Sequence, residues 1–241
     1  MIRVLIDAGN TNIKFALVDS GNWLSVDVIP SNQAGELHRF LVNYHDVKQV
    51  WVSNVAGEVV AQHIRTACAR LNLLPRFITA RTLQCGVTNR YTQPAQLGAD
   101  RWAALIAARQ QRACACLVVC SGTATTIDAL SDQGEFLGGL ILPGIELMQR
   151  SLFESTAKLS VLVGKYVNLP LNTADAILSG ALQATLGAVQ RQYAVLAVPD
   201  APVILGGGAA SSLFPHITYP VEMMDNLVLN GLLCIAQEVE V

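Results

Sequence analysis

Charge is what this sequence has least of. Only 14% of its 241 residues are Asp, Glu, Lys or Arg, against roughly 25% in an average globular domain. So sparse a supply implies that much of the surface is covered, between lobes or at a subunit interface. The net charge of −2 gives no electrostatic case for nucleic acid or an anionic membrane as partner. Apolar residues reach 52%, yet no run approaches the ~18 that a membrane-spanning helix requires. Asp7 cuts short the first apolar run, so the N-terminus does not read as a signal peptide. The six cysteines form no C-x-x-C pair and have only four histidines to join them. Reduced, buried thiols in a cytoplasmic protein are the better reading than a zinc site.

Against these absences stands a repeated pattern. Strands are expected over 2–6, 13–18 and 23–29, with Ser20-Gly21-Asn22 as a turn, which makes an antiparallel meander. Helical spacing over 35–44 and 59–71 alternates with β-like stretches at 49–52 and 77–78, the pattern of an α/β fold. Near residue 113 the order begins again: a buried strand at 116–120, a polar turn at 121–126, then strands at 127–130 and 136–142. Helices follow around 145–153 and 173–194, then a strand at 203–205 and a closing helix over 226–239. The expected organisation is therefore two similar lobes, 1–112 and 113–241, with a cleft between them.

Three stretches carry chemistry. In the first, Asp7 ends an apolar strand and is followed by Gly9, Asn10, Thr11, Asn12 and Lys14. A glycine turn rich in N–H groups can wrap an anion, and Asp7 suits a phosphate that arrives with Mg²⁺. The same residues also make an ordinary hairpin turn with an Asx-type cap. In the second, Gly122-Thr123-Ala124-Thr125-Thr126 is either another phosphate cradle or a Thr-rich strand. In the third, Asp100 and Arg101 precede a helix whose apolar stripe is Trp102, Leu105 and Ile106. At 100° per residue Asp100 lies opposite that stripe, facing solvent or a cleft. It is then a general base beside an acid-gripping arginine, or an Asp that stabilises a helix N-terminus. Gly206-Gly207-Gly208 either lets the backbone approach a nucleotide base or is a flexible turn. Neither G-x-x-x-x-G-K-[ST] nor a strand-linked G-x-G-x-x-G occurs.

Taken in order, Asp-Ala-Gly-Asn-Thr-Asn at 7–12, Gly-Ala-Asp-Arg at 98–101 and Gly-Thr-Ala-Thr-Thr-Ile-Asp at 122–128 resemble type III pantothenate kinase. So do Gly138-Gly139, Pro143-Gly144, Thr156-Ala157-Lys158-Leu159 and Thr173-Ala174-Asp175-Ala176-Ile177. The resemblance covers nearly the whole chain, in a family that also holds proteins named Bvg accessory factors. It implies an α/β fold of duplicated, ribonuclease H-like lobes of the acetate-and-sugar-kinase/Hsp70/actin type, with ATP in the cleft. It implies ATP-dependent phosphorylation of pantothenate to 4′-phosphopantothenate, the first step of coenzyme A synthesis. By the matched motifs Asp7, Ala8, Gly9, Asn10, Thr11, Asn12, Ile13 and Lys14 would bind ATP phosphates and Mg²⁺, with Gly122 and Thr123 also on ATP. Tyr91, Gly98, Ala99, Asp100, Arg101 and Thr173 would bind pantothenate, with Asp100 as catalytic base. Asp7 and Asp128 would be the metal residues, and the protein would be a homodimer.

Two positions depart from the family's pattern. The second phosphate motif normally begins with an aspartate that ligates a monovalent cation, potassium or ammonium; here the residue is Cys120, a poor ligand for a hard cation. Potassium dependence is therefore not expected unless Asp128 compensates. Ser160 replaces a usual proline near the dimer interface. The alternative to a kinase of pantothenate is a regulatory accessory factor of the same fold, favoured by Cys120 alone, or a kinase of another small alcohol.

Overall fold

The computed structural model describes residues 1–155 and 163–239, so Thr156 to Leu159 and Ser160 lie outside the described residues. The chain divides into two compact units: Met1–Arg112 with the segment from Asn226 onward, and Ala113–Asp225.

The first unit opens with β1 (Ile2–Ala8), β2 (Asn12–Asp19) and β3 (Asn22–Pro30), an antiparallel meander. Gly21 takes φ +91° in the tight turn between β2 and β3, a conformation open to glycine because it has no Cβ. A 3₁₀ turn (Ser31–Glu36) and α1 (Leu37–Leu41) lead to β4 (Gln49–Asn54), which pairs in parallel with β1. Helix α2 (Glu58–Ala69) crosses back to β5 (Pro75–Phe77), parallel to β4, giving the order β3-β2-β1-β4-β5. Alternation of side chains along each strand sends Val4, Ile6, Phe15, Val50 and Val52 to one face. They form a core there with Leu37 of α1 and Ile64 of α2. The hairpin β6 (Leu83–Gln84) and β7 (Val87–Asn89) precedes α3 (Ala99–Gln111).

The second unit repeats the plan. Strands β8 (Cys116–Ser121), β9 (Ala124–Leu130) and β10 (Glu135–Pro143) form an antiparallel meander. Helices α4 (Ile145–Ser155) and α5 (Thr173–Leu196) follow, then β11 (Val203–Gly206), the single turn α6 (Ala210–Leu213) and β12 (Val221–Met223). Because β11 is parallel to both β8 and β12, the order β10-β9-β8-β11-β12 matches that of the first unit strand for strand. Leu117, Val119, Ile127, Val203 and Leu205 face Ala181, Leu182 and Val189 of α5.

Two expectations change. The sequence pattern places residues 226–241 in the second lobe, whereas α7 (Leu227–Glu238) belongs to the first unit and packs on α3. The contact is close: a Cβ on Gly231 would overlap the backbone carbonyl of Ala103. Second, α3 is not a half-exposed helix with one apolar stripe, because every residue from Arg101 to Ala108 is buried. With β4, β7 and α7 packed around it, its small alanines fill the sides that the stripe model left to solvent. All six cysteines are free thiols, three of them buried (Cys68, Cys85, Cys116) and three partly so (Cys114, Cys120, Cys234). Among the described residues no helix is long and apolar enough to cross a membrane.

Candidate active site

The parallel pairing of β1 with β4 and the antiparallel pairing with β2 place three side chains in one row. Asp7 stands opposite Lys14 on β2 and opposite Ser53 on β4. Paired residues in adjacent strands share a face, so the row lies on the side away from the Val4–Ile6 core. The first turn of α3 brings Asp100 close enough to raise the Asp7 pKa. Asp7 keeps part of its surface open, yet enough protein surrounds it for burial to dominate its titration. Burial is the main reason that its pKa rises from the ordinary 3.8 to about 7; the Asp100 charge adds to the rise, and Lys14 and Ser53 oppose it.

Beyond Asp7, the hairpin closes tightly. The Gly9 N–H donates to Asn12 O at 3.0 Å, so this donor is used internally and the expected anion nest is narrower than the sequence suggests. Ser31 braces the same turn, its Oγ donating to Gly9 O at 2.6 Å and its N–H to Thr11 O at 2.9 Å. Asn10, Thr11 and Asn12 are exposed, while Ala8 and Ile13 are buried beneath them. Ala8 and Ile13 therefore anchor the turn in the core.

Asp100 is held at the start of α3. Its Oδ1 accepts from the Arg101 N–H at 2.8 Å, and a Cβ on Gly98 would sit 2.6 Å from that same oxygen. Glycine at 98 is thus the space that the carboxylate occupies. Ala99 begins the helix and is half-buried. Arg101 is buried, its Nη1 donating to Tyr91 Oη at 3.2 Å with the guanidinium 5.9 Å from the ring centroid. Tyr91 is itself fixed by its N–H on Asn89 Oδ1 at 3.0 Å. Tyr91, Gly98, Asp100 and Arg101 therefore form one constellation with Asp7, Lys14 and Ser53.

In the second unit Gly122, Thr123 and Ala124 form an exposed turn above buried Thr125 and Thr126. Gly122 N–H donates to Ala124 O at 2.9 Å, the counterpart of the Gly9 bond. Two glycines clamp this turn by backbone approach. Gly144 N–H donates to Thr123 O at 2.8 Å, and a Cβ there would overlap Gly122 O and lie 2.7 Å from Thr123 O. Gly207, at φ +97°, would drive a Cβ into the Ser121 backbone. The Gly206–Gly208 stretch is therefore a packing device for the turn, and its glycine requirement at 207 needs no ligand. Asp128 is buried one strand-turn deeper, opposite Val118 and Gly139. Cys120 occupies the place on β8 that Asp7 holds on β1, facing Thr126 and Gly206.

Thr173 begins α5 and lines an apolar groove of about 1050 Å³ with Leu147, Leu152, Leu171 and Ile177. Asp175 of the same motif has a structural task. Its N–H is capped by Asn172 Oδ1 at 2.9 Å, and its Oδ1 accepts from Lys165 N–H at 2.7 Å. The Lys165 bond, together with the one that Asn172 Nδ2 donates to Asp175 Oδ2 at 2.7 Å, lowers its pKa, and the Lys165 bond ties the 163–168 segment to the helix.

A hard divalent cation fits the first-unit row. Asp7 supplies an oxygen donor, and a carboxylate held this reluctantly in its charged form gains from a neighbouring cation. A monovalent cation does not fit the thiol at Cys120. Among the described residues no group of three or more His, Cys, Asp or Glu side chains forms a ready metal cage, so most ligands of a bound cation would come from phosphate and water. One consequence is measurable on metal-free protein. Because the folded-state pKa of Asp7 is raised, the stability linked to its protonated form is full below about 4 and is lost as pH rises through about 7. Asp7→Asn is expected to raise the thermal midpoint above that of the wild type at pH 8, with the difference shrinking steadily as pH falls to about 4.

A family profile described as Type III pantothenate kinase matches residues 3–195. The Type III pantothenate kinase of Nitrosospira multiformis is 47% identical, over 98% of this chain and 92% of its own. That of Aromatoleum aromaticum is 44% identical over 98% of both chains. Among solved structures, a Campylobacter jejuni member of the Baf family aligns over 98% of both chains at TM-score 0.66 and 22% identity. Component A of the Acidaminococcus fermentans (R)-2-hydroxyglutaryl-CoA dehydratase aligns over 99% of this chain and 97% of its own, with TM-score 0.59 and 12% identity. The fold is that of the acetate-and-sugar-kinase/Hsp70/actin group. Sequence and fold together give one conclusion: the chain belongs to the type III pantothenate kinase family.

Proposed function

We propose that the protein transfers the γ-phosphoryl group of ATP to the primary hydroxyl of pantothenate, giving 4′-phosphopantothenate and ADP. The observation that carries this reading is the Asp7–Asp100 pair flanked by Lys14 and Arg101. Two carboxylates and two cations suit a site for a metal-bound triphosphate and an acidic alcohol. Phosphoryl transfer needs mainly positioning and charge neutralisation. Asp100 Oδ1 is occupied by the Arg101 N–H, which directs Oδ2 to accept the substrate's hydroxyl proton as the oxygen attacks phosphorus. The bond from phosphorus to the ADP oxygen breaks as the new one forms. Arg101, steadied by Tyr91, supplies the positive charge for the pantothenate carboxylate, with Gly98, Ala99 and Thr173 as the further substrate residues. By the matched motifs the turn from Asp7 to Lys14 holds the phosphates, and Gly122 and Thr123 are further ATP residues. Mg²⁺ would sit at Asp7, with Asp128 as a second candidate, and would neutralise charge on the triphosphate oxygens.

The test is ADP release with and without pantothenate. Release that depends on pantothenate supports the reading; absent turnover, or turnover indifferent to pantothenate, in folded protein would favour an accessory factor or a kinase of another alcohol. Run in sodium and in potassium, the assay is expected to give equal rates, because Cys120 replaces the hard ligand. A homodimer is the further expectation. The groove beside Thr173 exposes Leu152 and, almost completely, Leu171, and a second copy covering it would account for the low charge content. Leu171→Glu is expected to shift the protein toward monomer in sedimentation; an unchanged mass would remove that face from the interface.

A further inference from the structure

We propose that Ser53 is a positioning residue for Asp7, its hydroxyl fixing the plane of the carboxylate so that one oxygen faces the incoming metal-bound triphosphate. The proposal rests on the Asp7 reading above and adds a residue that no motif marks.

Three observations carry it. Ser53 lies next to the end of β4, completely buried, directly opposite Asp7 in the parallel β1–β4 register. Its Oγ has no hydrogen-bond partner of ordinary geometry, although it stands near enough to Asp7 to favour the charged carboxylate. A buried hydroxyl without a full partner is a cost to folding, and such a group calls for a reason, a role at a catalytic site among them. The second unit provides an internal control. There Cys120 replaces Asp7, and the residue opposite it on the parallel strand is Gly206, which has no side chain. The unit that has the carboxylate also has a hydroxyl opposite it on the parallel strand, and the unit without the carboxylate has no side chain at that place.

The chemistry is that of an outer partner to a metal-binding carboxylate. A carboxylate has two oxygens; a donor on one restricts rotation and turns the other toward the cation, as outer partners do at metal centres. A hydroxyl does this without adding a charge next to Lys14 and Asp100. Alanine at 53 removes the donor and leaves the strand intact.

The test uses Mn²⁺ as the probe, titrated into full-length protein with a non-hydrolysable ATP analogue and followed by the loss of free Mn²⁺ signal in EPR. Ser53→Ala is expected to weaken Mn²⁺ binding by roughly 10-fold, with the thermal midpoint of metal-free protein equal to or above that of the wild type. The KM for pantothenate should be unchanged while the Mg²⁺ requirement for turnover rises. Ser53→Cys, which fills the same space with a much weaker donor, should behave like Ser53→Ala and serves if alanine disturbs the fold. Asp7→Asn is run alongside. If it loses Mn²⁺ while both Ser53 variants bind as the wild type does, the positioning role is wrong and the Asp7 assignment stands. If Asp7→Asn itself binds normally, the metal reading of Asp7 fails and this proposal falls with it.

Discussion

Asp100→Asn is expected to lower kcat by about 10²- to 10⁴-fold, the range that a positioned general base contributes, while the thermal midpoint and ATP binding stay near wild-type values. The geometry makes this substitution informative. Asparagine can keep the bond that Oδ1 accepts from the Arg101 N–H at 2.8 Å. Its amide nitrogen then stands where Oδ2 stood, and a donor faces the substrate hydroxyl in place of an acceptor. Near-full activity in this variant would show that Asp100 is a helix-terminus residue and no base. Gly98→Ala approaches the same question from the other side. Its new methyl would lie 2.6 Å from Asp100 Oδ1, and the end of a side chain can swing away more easily than backbone can. The fold should survive with its carboxylate displaced, so kcat should fall without a matching loss of stability. Wild-type kcat in a folded Gly98→Ala protein would argue against any need for that carboxylate position.

Gly207→Ala is expected to be the most damaging single methyl in the second unit. The position combines φ +97° with direct approach to the Ser121 backbone, so an added Cβ meets both conformational strain and overlap. Each effect costs about 1–3 kcal/mol, and a chain of this size loses roughly 2–4 °C of thermal midpoint per kcal/mol. Ala209 N–H also donates to Ser121 O at 3.0 Å, so displacing Ser121 disturbs the segment on both sides of the clamp. ATP binding should weaken together with stability. Gly144→Ala should act in the same direction by pushing on Gly122 and Thr123. Gly208→Ala is the control: no atom lies within 4 Å of its Cβ position, and it should be close to neutral. A stable Gly207→Ala protein with normal ATP binding would mean that the turn is not held by this clamp.

Local signals in the sequence were legible where they were strong. The meander over β1–β3, the return of the same order after residue 113, and the glycine turns at 9 and 122 all follow from apolar runs punctuated by Gly and Asn. Asp7 and Asp100 stand out because each is a carboxylate beside apolar residues. What stayed hidden depends on contacts distant in sequence. Ser53 looks like a chance hydroxyl until the parallel β1–β4 register sets it against Asp7. Helix α3 carries alanines at 103, 104, 107 and 108 that read as neutral, yet all are buried once β4, β7 and, from far along the chain, α7 pack around the helix. The middle glycine of 206–208 invited a ligand, when its constraint is the Ser121 backbone 86 positions earlier. Asp175 likewise reads as part of a binding motif, and its bonds to Asn172 and Lys165 show a local brace.

The return of α7 to the first unit has a consequence in time. As the chain leaves the ribosome, residues 1–112 appear early, but the helix that backs α3 starts only at Leu227. At ~5–20 residues per second, the wait is on the order of ten seconds. Throughout it the second unit can complete itself, while the unit bearing Asp7 and Asp100 lacks the wall that closes on Ala103. The half made first is thus finished last, and a nascent chain that stops short of α7 leaves the Asp100 helix without its backing.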